Sequence, residues 1–250
     1  MKAGCILLIW PLFLIGIFTS LLGTLAGGGG LIGMPAMMLY GLPVHTIIAA
    51  NKFSNTISSF SSFFVLLRDK TIRLKDALAI IPFACAGGIT GALLASLISE
   101  KTMTGIALVL LVFALILQFV KKPVAMADQT GKIPAKIYPL LYGISVYDGL
   151  FGPGQASLNM QVYLHQGFSY LKAIAFTRFQ TFLSCFGALL MFQGHGLVDW
   201  QAALSLAAGS LIGAQLSVRI AKKIRSNQAI WIVRLITIFI IAQLLYSFFT

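Results

Sequence analysis

An all-α polytopic membrane protein is the fold class predicted by this 250-residue sequence, and three observations carry that prediction. Hydrophobic residues make up 58% of the chain and charged residues only 10%, where a soluble domain carries about 25% charged residues. Apolar stretches of helix length recur from one end to the other, and no segment between them is long enough for a soluble domain. Two glycine-rich breaks at corresponding places divide the chain into related halves.

The elements follow in order. Lys2 precedes the apolar run Ile6 to Leu25, as in a signal peptide, but no A-x-A-like site comes after it, so the run reads as a retained helix. The break Gly27 to Gly30 and the short segment Leu31 to Tyr40 come next. Val44 to Leu67, Ala77 to Ile98 and Thr104 to Val120 complete the first half, residues 1–120. A polar, basic loop, 121–136, joins it to the second half, 137–250. There Ile137 to Leu150 leads to the break Gly152 to Gly154, and Gln155 to Leu164, Leu171 to Phe192, Ala202 to Ile220 and Ala229 to Phe249 follow. Together the halves make one transmembrane domain.

The repeat shows in two windows, "AGGGGLIGMPAMMLYGLPVHTIIAANKFSNTISSF" from Ala26 and "FGPGQASLNMQVYLHQGFSYLKAIAFTRFQTFLSCF" from Phe151. Each passes through a glycine-rich break, a short apolar segment and a turn, then a long helix with a polar, basic cluster near its start. Lys52 and Arg178 take equivalent places, 22 and 24 residues after Gly30 and Gly154.

The formal net charge of +12 raises the question of a nucleic-acid partner, and the positions of the charges answer it. Arg68, Lys70, Arg73 and Lys75 share one short loop, Lys121, Lys122, Lys132 and Lys136 a second, and Lys222, Lys223 and Arg225 a third. Such a pattern is that of cytoplasmic loops and anionic lipid headgroups, so the expected surface partner is lipid and not nucleic acid. If all eight long stretches crossed the bilayer, the Arg68 and Lys222 loops would face opposite sides. If each glycine break is instead the tip of a re-entrant hairpin, three spans remain per half and the three basic loops share a face. The halves are then inverted copies, and both termini lie opposite the basic loops. Ile6 to Leu25 is nonetheless long enough to cross fully at about 1.5 Å per residue, so full interrupted spans stay open.

Non-helical backbone at membrane depth needs burial in protein or a water-filled cavity. Gly28, Gly29 and Gly30 in one half, and Gly152 and Gly154 before Gln155 in the other, would expose amide groups at the starts of two half-helices, where an anion is favoured. The alternative is close helix packing by small residues. Lys52 lies about eight residues, roughly 12 Å, inside its stretch, with Arg178 at similar depth; charges there line a cavity, meet a partner or snorkel. Asp148, in "YDGLFGPG", is the one intramembrane acid that qualifies, as a static counter-ion, a proton-coupling group or a helix-end contact. Two cations and one carboxylate leave a surplus that a monoanion neutralises. Asn51, Asn55, Thr56, Thr177, Gln180 and Thr181 surround the cations as site residues or polar glue.

Other features read plainly. Cys5, Cys85 and Cys185 have no metal-binding spacing and are small apolar filler. His45, His165 and His195 stand at span ends or in loops as interfacial side chains. Arg219 and Arg234 lie near the basic face and snorkel.

These residues resemble the TauE/SafE sulfite-exporter permeases. The likeness covers nearly the whole chain: "AGGGGLIGMPAMML" with "ANKFSN", "YDGLFGPG" with "TRFQ", and the tail "GLVDWQAALSLAAGSLIGAQLSVRIAKK". It implies a permease for sulfite or small organosulfur anions such as sulfonates, in a bacterial inner membrane. It points to Gly28, Gly29, Gly30, Asn51 and Lys52, then to Asp148, Gly149, Gly152, Pro153 and Gly154, with Arg178 at a basic position. The chain departs from the pattern at "AANK", where a threonine commonly precedes the asparagine, and at Gln155.

The function expected is a secondary transporter of a small anion, working by alternating access around a midplane site. Its substrate-binding residues are Gly28, Gly29, Gly30, Asn51, Lys52, Gly152, Gly154, Gln155, Thr177 and Arg178, with Asp148 for coupling or as counter-ion. Other readings are a carrier or channel for another small anion such as a carboxylate, and a structural membrane subunit. An intramembrane enzyme is disfavoured, since the chain lacks H-E-x-x-H, G-x-S-x-G and paired intramembrane carboxylates. No cofactor or metal is expected. The partners are a small anion, lipid and a coupling proton or ion, and self-association stays open.

Overall fold

A computed structural model describes residues 2–117 and 133–221. Linker residues 121–132, the stretch Ala229 to Phe249, and Lys222, Lys223, Arg225 and Arg234 lie outside the described residues. All regular structure among the described residues is helical. The helices are α1 (Lys2–Ala26), α2 (Gly29–Leu39), α3 (Val44–Arg68), α4 (Leu74–Ala77), α5 (Ile81–Ser96), α6 (Glu100–Leu117), α7 (Tyr138–Leu150), α8 (Gln155–His165), α9 (Tyr170–Gly194) and α10 (Trp200–Ala221). A 3₁₀ turn, Leu78–Ile80, joins α4 to α5.

Among the described residues, three continuous helical runs, 74–96, 170–194 and 200–221, have the length and apolarity to cross a membrane. Helix α3 is as long as α9, 25 residues, but Lys52, two asparagines and five serines keep it more polar than those three. That polarity is spent inside the protein, where Lys52, Ser54, Ser58, Ser59 and Ser62 are buried.

Glycine sets how the helices pack. A Cβ at Gly209 would lie 1.9 Å from the Phe13 carbonyl oxygen, and one at Gly213 would lie 2.2 Å from that of Ile17. Neighbours thus advance together along α1 and α10, which run parallel in backbone-to-backbone contact. The same close approach recurs between α5 and α7, where Gly87 meets Tyr142 and Gly91 meets Val146 and Leu150. Helices α3 and α9 cross antiparallel, with Phe63 on Phe179 and Phe60 on Phe182 at ring-centroid distances of 4.5 and 5.2 Å.

Both glycine-rich segments reverse the chain. After α1 ends, Gly27 adopts φ +77°, a conformation that costs glycine little, and α2 folds back so that Gly29 meets Gly23 and Gly33 meets Thr19 and Ile15. In the second half, Gly152 and Gly154 take φ +111° and +85° between α7 and α8.

Two apolar cores result. One gathers Phe63 and Leu66 of α3 with Ile137, Tyr163, Phe168 and Phe176, beside the loop that carries Arg68 to Lys75. The other gathers Met34 and Met37 of α2 with Ile47, Ile48, Phe151, Phe192 and Leu206. Helix α3 passes through both, and its polar middle lies between them.

His45 departs from its expected interfacial place, whereas His165 and His195 are exposed. It is buried at the start of α3, where it contacts Glu100 and its Nε2 lies 3.0 Å from the Ala95 carbonyl. The Glu100 carboxylate also accepts from the Val44 and His45 amides, capping a helix that has no side-chain cap of its own. Partial burial pushes the Glu100 carboxyl up, but these bonds outweigh it and hold the carboxyl below its ordinary pKa.

Gly209→Leu is expected to cost about 3 kcal/mol or more, because the added side chain meets backbone and not a movable side chain. Gly105→Leu, where a Cβ meets nothing within 4 Å, is the matched control. Thermal unfolding in detergent checks the pair, and equal stability of the two variants would contradict this packing.

Candidate functional site

The two hairpin tips meet each other. A Cβ at Gly27 would lie 2.5 Å from the Ser157 amide nitrogen, and one at Gly30 would lie 3.0 Å from Pro153 Cα. Side chains at these positions would push the breaks apart. The first turns of α2 and α8 therefore come together, and neither helix has a side-chain cap on its N-terminal amides.

A cavity lies at this junction, and the space in it open to the centre of a water-sized sphere is about 40 Å³. One water needs about 10–15 Å³ by that measure, so the space suits a single small ion. Of the residues singled out from sequence, Gly29, Gly30, Asn51, Asp148, Gly152, Gly154, Gln155 and Arg178 line it. Gly28, Lys52 and Thr177 are not among the lining residues. Asn55 and Thr181 are, whereas Gln180 donates to the Leu141 carbonyl and Ser145 and accepts from Tyr163, and so ties helices together.

The two buried cations have different surroundings. Lys52 Nζ is fully buried and donates to Asp148 Oδ1 at 2.8 Å, to the Asp148 carbonyl and to the Phe151 carbonyl at 3.5 Å. It thus neutralises the carboxylate and also caps the C-terminal end of α7, where helix carbonyls lack intrahelical partners and carry partial negative charge. The other oxygen of Asp148 accepts from Ser184 Oγ and from Cys185 Sγ at 3.4 Å. Three donors from α3 and α9 therefore hold the carboxylate in place. Gly152 is favoured beside them by its φ of +111°, which L side chains rarely adopt, and a Cβ there would also come within 2.7 Å of Lys52 Nζ.

Arg178 is also buried, at 3% exposure, but it has no ion-pair partner among the described residues. One terminal nitrogen donates to Ser58 Oγ at 3.3 Å, and Nε has no hydrogen-bond partner. Gln155 reaches the same cavity; its Oε1 accepts from Thr181 at 3.2 Å and its Nε2 is unpartnered. On the wall formed by α3, Asn55 Nδ2 donates to Asn51 Oδ1 at 2.5 Å. The arrangement combines one unneutralised guanidinium, amide donors and two uncapped helix starts around a small space.

Several contributors escaped sequence reasoning: Ser58, which holds Arg178, Ser184 and Cys185, which hold Asp148, and Thr19 and Gly23 in the wall. For the last two a signal was present. Thr19 and Gly23 lie four residues apart on one face of α1, and Gly27 follows four residues later just past its end.

A family model described as Sulfite exporter TauE/SafE matches residues 12–244. A probable membrane transporter protein, ORF9, of Sinorhizobium sp is 34% identical over 84% of this chain and 82% of its own length. A probable membrane transporter protein of Haemophilus influenzae is 30% identical over 83% of each chain. The Escherichia coli K12 probable membrane transporter protein YfcA is 29% identical over 86% of this chain and 81% of its own. No solved structure matches.

Asp148→Ala is expected to destabilise the fold by about 3–5 kcal/mol, because it leaves Lys52 buried without its counter-charge. The double variant Lys52→Met/Asp148→Leu should recover most of that loss. Thermal unfolding of the three proteins decides it; a cost below about 1 kcal/mol for Asp148→Ala would contradict a structural ion pair.

Proposed function

Since this chain belongs to the sulfite exporter TauE/SafE family of membrane transporters, we propose that it is a secondary transporter of a small sulfur oxyanion, sulfite or a short sulfonate, in the plasma membrane of a bacterium. The observation that carries this reading is the contrast between its buried cations. Lys52 is neutralised by Asp148, which reaches the cavity wall already paired, whereas Arg178 faces the same cavity with no ion-pair partner among the described residues. A bound monoanion balances Arg178 and receives hydrogen bonds from the Asn51 and Gln155 side chains and from the amides of the two helix starts at Gly29–Gly30 and Ala156, the Gln155 amide being held by the Gly152 carbonyl.

In this reading α1–α2 and α7–α8 are re-entrant hairpins of two inverted repeats. The pairing of parallel neighbours supports it: α1 of the first half packs along α10 of the second, and α7 of the second half packs along α5 of the first. The apolar cores on either side of the polar layer act as alternating seals, and transport consists of opening one while the other stays closed. Lys52 serves mainly to hold the α7 break in shape, with Asp148 as its fixed counter-ion.

The test is thermal stability of the purified protein against sulfite, sulfate, thiosulfate, short sulfonates, carboxylates and phosphate. A ligand at about 100 times its Kd stabilises by roughly 2.7 kcal/mol if it binds only the folded state. A sulfur oxyanion is expected to give the largest shift, and Arg178→Ala is expected to abolish it. An equal shift in Arg178→Ala would contradict this site, and a shift for carboxylates alone would replace the substrate class.

A further inference from the structure

Beyond the cavity, the seam between α8 and α9 contains polar side chains that the fold itself does not use. Gln155 of α8 and Thr181 of α9 are hydrogen-bonded at 3.2 Å, and the two helices run antiparallel from their shared turn. One turn further, about 5 Å along each helix, the same register sets Asn159 opposite Thr177. Asn159 is fully buried and neither its Nδ2 nor its Oδ1 has a hydrogen-bond partner. Thr177 is 1% exposed, and its Oγ1 is also unpartnered. Arg178 Nε and Gln155 Nε2, unpartnered as well, lie on the cavity side of this pair.

Leaving buried amide and hydroxyl groups without partners is costly, and native proteins avoid it unless a ligand or water completes them. One turn beyond Asn159, Tyr163 packs on Phe168 and Phe176 at ring-centroid distances of 6.4 and 5.3 Å, in the core beside the loop that carries Arg68 to Lys75. Helix α2, at the other hairpin, carries no polar side chain at all. Buried hydroxyls without partners also occur at Ser20 and Thr24 of α1 and at Ser59 of α3, but among the described residues only the α8–α9 seam sets a wholly unpartnered amide side chain, Asn159, across from an unpartnered hydroxyl beside the cavity.

Resting on the transport reading above, we infer that Asn159 and Thr177 form a second, uncharged station for the transported oxyanion, between the Arg178 cavity and the aromatic cluster on the basic-loop side. At this station the ion exchanges the guanidinium for the Thr177 hydroxyl and the Asn159 amide. A hydroxyl of a protonated oxyanion, or an accompanying water, donates to Asn159 Oδ1. A weak neutral site beside a charged one lets the ion leave without paying for full dehydration between the cavity and the far side of the seal.

The experiment is flux of ³⁵S-labelled sulfite in proteoliposomes, with sulfite binding followed in parallel by thermal shift. Asn159→Leu and Thr177→Val are expected to lower flux roughly tenfold or more, the effect of losing a hydrogen bond to a charged group. Binding should fall far less than flux, and unliganded stability should not drop, since apolar replacements remove unpartnered buried groups. Thr177→Ser, which restores the hydroxyl, should return most of the flux. Wild-type flux in both Asn159→Leu and Thr177→Val, with Arg178→Ala inactive, would overturn the station and leave the Arg178 site standing. Flux retained in Arg178→Ala would overturn that site instead, and no sulfite flux in the wild type would overturn both.

Discussion

The ion pair between Lys52 and Asp148 is the constraint on which the rest of the structure depends. A lysine deep in a helix of this kind must meet a counter-charge inside the protein. Here that charge comes from the end of α7 in the other half of the chain. Because Nζ also bonds the carbonyls of Asp148 and Phe151, the pair ties the middle of α3 to the point where α7 stops and the chain turns. Gly152 lets the amine come that close. The second break is thereby held against α3, and Gly27 and Gly30 allow the first break to meet it.

The two buried cations beside the breaks differ in their neutralisation, and that difference carries the proposed site. Arg178 occupies in α9 the place of Lys52 in α3, yet no carboxylate pairs with it among the described residues. A perfectly repeated molecule would either neutralise both cations or neither. One paired and one unpaired cation leave a single positive charge beside a cavity large enough for one small ion, between the two apolar cores. The second hairpin also carries the polar side chains of α8, whereas α2 is apolar throughout.

Much of this was legible in the sequence because it rests on local chemistry. The helical class followed from the recurrence of apolar runs, and the breaks followed from glycine clusters. The equivalence of Lys52 and Arg178 followed from matching the two windows, and Asp148 stood out as the one qualifying intramembrane acid beside the second break. Which cation would be neutralised was not legible, because equal depth and similar polar neighbours make Lys52 and Arg178 look interchangeable along the chain. The choice depends on how α3, α7 and α9 lie against one another. The capping of α3 by Glu100, 56 residues away, was hidden for the same reason, and His45 looked interfacial because its partners come from two other helices, α5 and α6.

The central claim is that the ion sits with Arg178 between the two helix starts while Lys52 stays with Asp148. The most direct measurement is an experimental structure with bound selenite, the heavier analogue of sulfite, located by its anomalous scattering. The account predicts one selenium site at the meeting of the breaks, with its oxygens about 3 Å from Arg178 nitrogens and the Lys52–Asp148 pair intact. Selenium beside Lys52 with Asp148 displaced, or no site between the breaks, would contradict it.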